Sequence, residues 1–152
     1  METQTDASPP RVVDADPSAV IARIQRSVNA HDLDALVACF QPDYRSEQPL
    51  HPDRAFRGRE QMRANWTQIF AAVPDITADV LRWALDGQTV WAEWDLRGTR
   101  RDGTPHHTAM VTIGGTQDGQ ISWMRLYMEP VSTGAGIDAA VQAGLAGRGG
   151  GR

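Results

Sequence analysis

Few side chains of this chain can move a proton near neutral pH, and their spacing already limits what they can do. Tyr127 and Glu129 stand two apart in Arg-Leu-Tyr-Met-Glu-Pro, so on a strand they share one face. A Glu enclosed by Trp and Met has a raised pKa and serves as a general acid near neutrality, which makes Glu129 the first catalytic candidate, with Tyr127 beside it. The competing arrangement pairs Glu129 with Arg125 on an outer face, and the alternation of the strand favours it. His106 and His107 are neighbours, so a strand sends them to opposite sides and they cannot chelate one metal together. One of the two can reach a pocket mouth and titrate near neutral pH. Tyr44, Ser46 and Gln48 lie on one side of a short strand, while Glu47 points away. His51, in the loop Pro-Leu-His-Pro-Asp-Arg, is placed like the two adjacent histidines either to reach the pocket mouth or, as loop histidines usually are, to stand in solvent. Arg54, Arg57, Arg59 and Arg63, opposed only by Glu60, form either a solvated helix face or an anion-attracting rim.

Composition removes other chemistries. All fifteen basic residues of the 152 are Arg. Without a Lys amine there is no Schiff-base aldolase, no pyridoxal-phosphate enzyme and no Walker-type phosphate loop. One cysteine, Cys39, excludes an internal disulfide and a Cys-based zinc site, and no His or carboxylate spacing replaces it. Neither a cofactor nor a metal is expected. Nineteen acids outnumber the Arg and give a net charge of -4, which argues against a nucleic-acid partner. No apolar run has the length of a membrane span, and the polar N-terminus lacks a signal segment, so the sequence implies a cytosolic protein.

These residues need elements to hold them. Asp16-Pro17 opens a helix whose Val20, Ile21, Ile24 and Val28 share a face. After Asn29-Ala30-His31, Asp32 caps a second helix with Leu33, Leu36, Val37 and Phe40 on one side, stopped by Pro42. A third starts after Gly58, aligns Met62, Trp66, Ile69, Phe70 and Val73, and ends at Pro74. Asp43 to Pro49 reads as a short strand. Asp-Gly then recurs at 86–87, 102–103 and 118–119, sixteen residues apart each time. Such turns predict an antiparallel meander of four strands, about 76–85, 88–99, 106–116 and 120–130. Helices followed by a meander give an α+β fold. Three N-terminal helices pack on a curled antiparallel sheet, four meander strands plus one short strand, and enclose a pocket. In such a cone the core and the pocket wall coincide, so Trp66, Phe70 and Trp94 are candidate ligand contacts as well as core. The set Val90, Ala92, Trp94 and Leu96 should face the helices. The opposite set carries Trp91 and Trp123, which predicts a homodimer through the outer sheet face. Residues 1–15 and 133–152, the latter with seven of the fourteen glycines, read as disordered tails around a domain at 16–132. Only the Ala-rich piece Ile137 to Leu145 has the composition of a loose helix.

The segments Asn29-Ala-His-Asp-Leu-Asp34, Phe56-Arg-Gly58 and Asp118-Gly-Gln-Ile121 resemble the SnoaL-like branch of the nuclear transport factor 2-like (NTF2-like) superfamily. That superfamily holds ketosteroid isomerase, limonene epoxide hydrolase, polyketide cyclases and binding proteins. The resemblance implies an α+β cone, a deep pocket and commonly a homodimer. The isomerase site, which is a worked example of pKa tuning, uses an Asp base with a Tyr and a protonated Asp at the oxyanion. Alignment places these on Ile24 (the Tyr), Gln48 (the base) and the neighbourhood of Val111 (the oxyanion Asp), so that mechanism is lost. The same alignment directs Tyr44 and Gln48 into the pocket, Gln48 as a ligand for a carbonyl or hydroxyl. Glu129 matches the last-strand carboxylate of the epoxide hydrolases, whose Arg and Asp fall near Trp94 and Leu96. Polyketide cyclases of the family use an acidic group as general acid, a role open to Glu129 or His107. The resemblance thus implies either an acid/base enzyme, with Glu129, Tyr127 and His107 catalytic, or a non-catalytic dimer that binds a small apolar molecule. Tyr44, Gln48, His51, Trp66, Phe70 and Trp94 would hold the ligand in both.

Overall fold

The computed structural model describes residues 16–146, so the expected N-terminal tail and the last six residues lie outside the described part. Helix α1 (Pro17–Asn29) starts where Asp16 caps the Ser18 amide, and it buries Val20, Ile21, Ile24 and Val28. Asp32 caps α2 (Leu33–Val37) through the Ala35 amide. This helix is shorter than its sequence pattern predicts. Phe40 belongs instead to strand β1 (Phe40–Glu47), where its ring meets Tyr44 edge-on at 4.8 Å. Pro42 therefore sits inside a strand, and the helix has already ended at Val37. Helix α3 (Arg59–Ala72) follows Gly58, whose φ of +95° suits glycine and whose amide donates to the Tyr44 carbonyl. A two-residue strand, β2 (Phe56–Arg57), pairs with β1.

The meander is β3 (Thr77–Asp86), β4 (Thr89–Thr99), β5 (Pro105–Gln117) and β6 (Gln120–Pro130), close to the ranges expected from the Asp-Gly turns. Gly87, Gly103, Asp118 and Gly119 all take positive φ at those turns. The sheet has six strands in the order β2-β1-β6-β5-β4-β3 rather than five, with β1 parallel to β6 and the other pairs antiparallel. A fourth helix, α4 (Ile137–Leu145), coincides with the Ala-rich piece and buries none of its residues.

The Asn-x-x-Asp-Leu-Asp motif acts as a clamp. Asn29 donates to the Ala78 carbonyl at 3.0 Å and accepts from the Ala78 amide at 2.7 Å, as a neighbouring strand would. His31, at φ +53°, reaches the Ile76 carbonyl with Nε2 at 2.9 Å. Together they dock the end of α1 on the first meander strand. Further along that strand, Gln25 accepts from the Val80 amide at 2.7 Å, beside a register shift that frees it. The core runs between the three helices and the concave sheet face, through Leu36, Ile76 and Ile121, which have no exposed surface.

Candidate active site

A cavity of about 310 Å³ opens between the helices and the concave sheet face. Alternation decides what lines it. On β4, Trp94 and Leu96 point in; on β5, His106, Thr108, Met110 and Thr112; on β6, Met124, Leu126 and Met128. Strand β1 contributes Tyr44 and Ser46, and Gln48 follows just past its end. Met62, Asn65, Trp66 and Ile69 of α3 form the opposite wall, with Ile24 and Val28 of α1 beside them. None of the lining residues is Asp, Glu or Arg. Most of the wall is apolar, and its polar groups are hydroxyls, two amides and one imidazole.

The polar groups are held differently. Trp94 Nε1 donates to Thr112 Oγ1 at 3.0 Å, which satisfies both in a buried setting. The Tyr44 hydroxyl is 2% exposed as a residue, and burial pushes its pKa to about 12 against a small opposing effect of Ser46. It stays protonated and acts as a donor or acceptor of hydrogen bonds, not as a base. His106 is half-buried. Burial first, then the positive charges of Arg100 and His107, hold its pKa below the ordinary imidazole value. It is therefore mainly neutral at pH 7. Thr108 Oγ1 lies 3.5 Å from its Nε2.

The structure divides the residues predicted from sequence. Tyr44, Gln48, Trp66 and Trp94 line the cavity. Glu129, Tyr127 and His107 do not, because β5 and β6 turn these positions to the outer sheet face. Glu129 accepts a hydrogen bond from His51 Nε2 at 2.8 Å, with more than half of its side chain in solvent. His107 Nε2 lies 2.5 Å from Asp95, which Arg97 also holds at 2.5 Å. Arg125 pairs with Glu47 at 2.7 Å rather than with Glu129. His51 is thus tied to the end of β6 instead of facing a ligand. Phe70 stacks on His31 with ring centroids 4.9 Å apart, behind the wall that Trp66 presents. The Arg cluster is partly spent on pairs: Arg63 with Asp34 at 2.7 Å, and Arg57 near Asp43.

Among the polar lining groups, Asn65, Thr108 and Thr112 were not singled out by sequence, and His106 was named only as one of an adjacent pair. The adjacent histidines gave the opposed-faces rule but not which of them turns inward. Along β5, the outward residues Ala109, Val111 and Ile113 are as apolar as the inward Thr108, Met110 and Thr112, so hydrophobic alternation was no guide. The pairing register was. Met110 sits opposite Trp94 and Thr108 opposite Leu96, both core-facing, and His106 keeps that parity.

Among the described residues, no group of three His, Cys, Asp or Glu side chains is placed to hold a metal ion, and no helix is long and apolar enough to cross a membrane. The alignment residues Ile24 and Gln48 do line the cavity, while Val111 is exposed on the outer face.

Comparison with known proteins gives the arrangement its family. No curated protein matches the chain. A loop-truncation variant of IdmH is similar at 28% identity and a TM-score of 0.65, covering 75% of this chain and 93% of that one. Wild-type IdmH, a proposed polyketide cyclase from Streptomyces antibioticus, gives 24% and 0.66 over 85% and 99% of the two chains. SalBIII, described as an epoxide hydrolase/cyclase-like enzyme in pyran ring formation of the polyether salinomycin, gives 23% and 0.65 over 74% and 90%. The likenesses below 25% identity bear on the fold alone. A family model for the SnoaL-like domain matches residues 21–124, more than half of the sequence and nearly all of the cavity wall, and this chain belongs to the SnoaL-like family with an NTF2-like fold.

Proposed function

We propose that the chain is a small-molecule enzyme of the SnoaL-like type that works by cofactor-free acid/base chemistry on an apolar polyketide- or terpene-like compound. The reaction belongs to the cyclase, isomerase or epoxide hydrolase kind. The observation that carries this is the uncharged cavity of about 310 Å³ with one imidazole in its wall. An apolar ligand gains from leaving water there, and an ionised one finds no counter-charge. The names of IdmH and SalBIII, both attached to ring-forming chemistry, agree with a ligand of that class.

A second reading, a non-catalytic protein that binds a hydrophobic ligand, has specific support. The alignment positions Ile24 and Gln48 carry no proton-moving group, and Glu129, Tyr127 and His107 lie outside the cavity. Screening epoxides and enones against wild type, Glu129→Gln and His106→Gln separates the two. The enzyme reading expects turnover that survives Glu129→Gln; a bound apolar compound released on denaturation, with no turnover of any probe, favours the binding protein.

Two further features complete the proposal. Copies pair through the outer sheet face, where Trp91 and Val111 remain 46% and 39% exposed beside Trp123. A single cysteine, buried and unpaired, fits a reducing compartment such as the cytoplasm.

A further inference from the structure

The cavity's one imidazole points to a more specific chemistry, which rests on the enzyme reading above. We propose that His106 is the proton-accepting residue of this cavity. We further propose that its ligand is an uncharged compound whose C–H or O–H is acidified by neighbouring carbonyls, namely a 1,3-dicarbonyl or its enol. Four observations lead there. The wall contains no carboxylate, so no Asp or Glu serves as base inside it. Carboxylates nearby in the sequence or on adjoining strands are committed elsewhere: Asp102 to Thr104, Glu129 to His51, and Asp95 to Arg97 and His107. Tyr44 keeps its proton throughout the physiological range. His106, by contrast, sits near the start of β5, two residues before Thr108, where the pairing with β6 begins at Pro130. There Gly98 pairs with it and brings no side chain of its own, so the imidazole is reachable from the cavity.

The surroundings also set how strong a base it is. The ionisable groups that act on it are Arg100 and His107, neither of them an anion, and across the cavity α3 offers Asn65, Trp66 and Ile69, none charged. With no anion to stabilise an imidazolium, His106 is a weak base. With no charged lining group to hold an enolate, such a base suits a methylene between two carbonyls better than the carbon beside a single ketone.

The step balances without any co-reactant. The free imidazole nitrogen takes the proton from the carbon between the two carbonyls. The C–H bonding pair becomes the C=C bond of an enolate, and one carbonyl π pair moves onto oxygen. The imidazolium then returns the proton to that oxygen or to carbon. Because no lining residue is cationic, the enolate is stabilised only by hydroxyl and amide donors and by the imidazolium that its own formation creates.

The test uses benzoylacetone, a neutral 1,3-diketone whose enol absorbs in the near ultraviolet, and follows its keto–enol relaxation after dilution into buffer. Wild type should speed the relaxation, and His106→Gln should lower that rate by about a hundredfold or more while binding the diketone within about threefold of wild type. Binding is read by quenching of the tryptophans Trp66 and Trp94. His106→Asn serves as a second variant, and thermal melting verifies that both fold. Bound diketone with no acceleration by wild type, or acceleration that both variants retain, overturns the assignment of His106 and leaves the cavity reading intact. No quenching by benzoylacetone, nor any binding of the neutral apolar probe Nile red, would remove the cavity reading and this proposal with it.

Discussion

Asp95 shows how one carboxylate can be used for stability rather than chemistry. Its hydrogen bond from Arg97, then that from His107, keeps its pKa below the usual Asp value. A carboxylate depressed in the folded state stabilises the fold above the unfolded pKa of about 3.9, and that contribution disappears as pH falls through the folded value. Wild type should therefore melt above Asp95→Asn at neutral pH, by a modest margin because the group is near the surface. The gap should close below about pH 4. A gap that widens on acidification would contradict the assignment. Gly98 is a second residue with a sharp consequence. A Cβ there would lie 2.4 Å from Val73 Cγ1 and 3.1 Å from the Ile76 backbone. Gly98→Ala should cost about 1–3 kcal/mol in urea unfolding, whereas Gly144→Ala, with nothing within 4 Å, should leave the midpoint unchanged. Equal midpoints for the two variants would show that the strand end yields more easily than its packing implies.

At the level of elements, the meander and its turns were legible because Asp-Gly demands positive φ and repeats at a fixed interval. The first and third helices were legible from their apolar stripes and their stops. Strand β1 was harder. Phe40 completes a helical stripe with Leu33, Leu36 and Val37, yet its ring is needed against Tyr44, and tertiary packing overrode the local pattern. Strand β2 has two residues, too few for any period. The candidate site was legible in part for the same reason. Strand parity put Tyr44 and Gln48 on one face of β1, and the family resemblance turned that face into the pocket. His106 depended on which face of β5 turns inward, and Val111 and Ile113 made the outer face look like core. The loop after β1 is tied to the end of β6 by the His51–Glu129 pair, both partners substantially in solvent. Such a pair contributes less than about 1 kcal/mol. Glu129→Gln should leave the melting temperature nearly unchanged and raise amide exchange across residues 48–55. A large loss of stability would mean that this pair supports the sheet end itself.

For the whole molecule, the two faces of the sheet divide the labour. The concave face carries the cavity without a charged group, and the convex face carries the paired charges of Arg82 with Glu93, Arg97 with Asp95, and Arg125 with Glu47. Between those pairs Trp91 and Val111 stay uncovered, which is the basis for the proposed pairing through this face. Light scattering at micromolar concentration should give twice the chain mass for wild type and the single mass for Trp91→Arg. A single mass for wild type would remove the dimer. The central claim concerns the concave face and has a direct measurement: titration of Nile red into wild type and into Leu126→Trp, a variant that fills the cavity from its own wall. The account predicts one saturable site per chain in wild type and about tenfold or greater weakening in a variant that still melts cooperatively. Equal affinity in the two proteins would place the apolar site elsewhere and contradict the account.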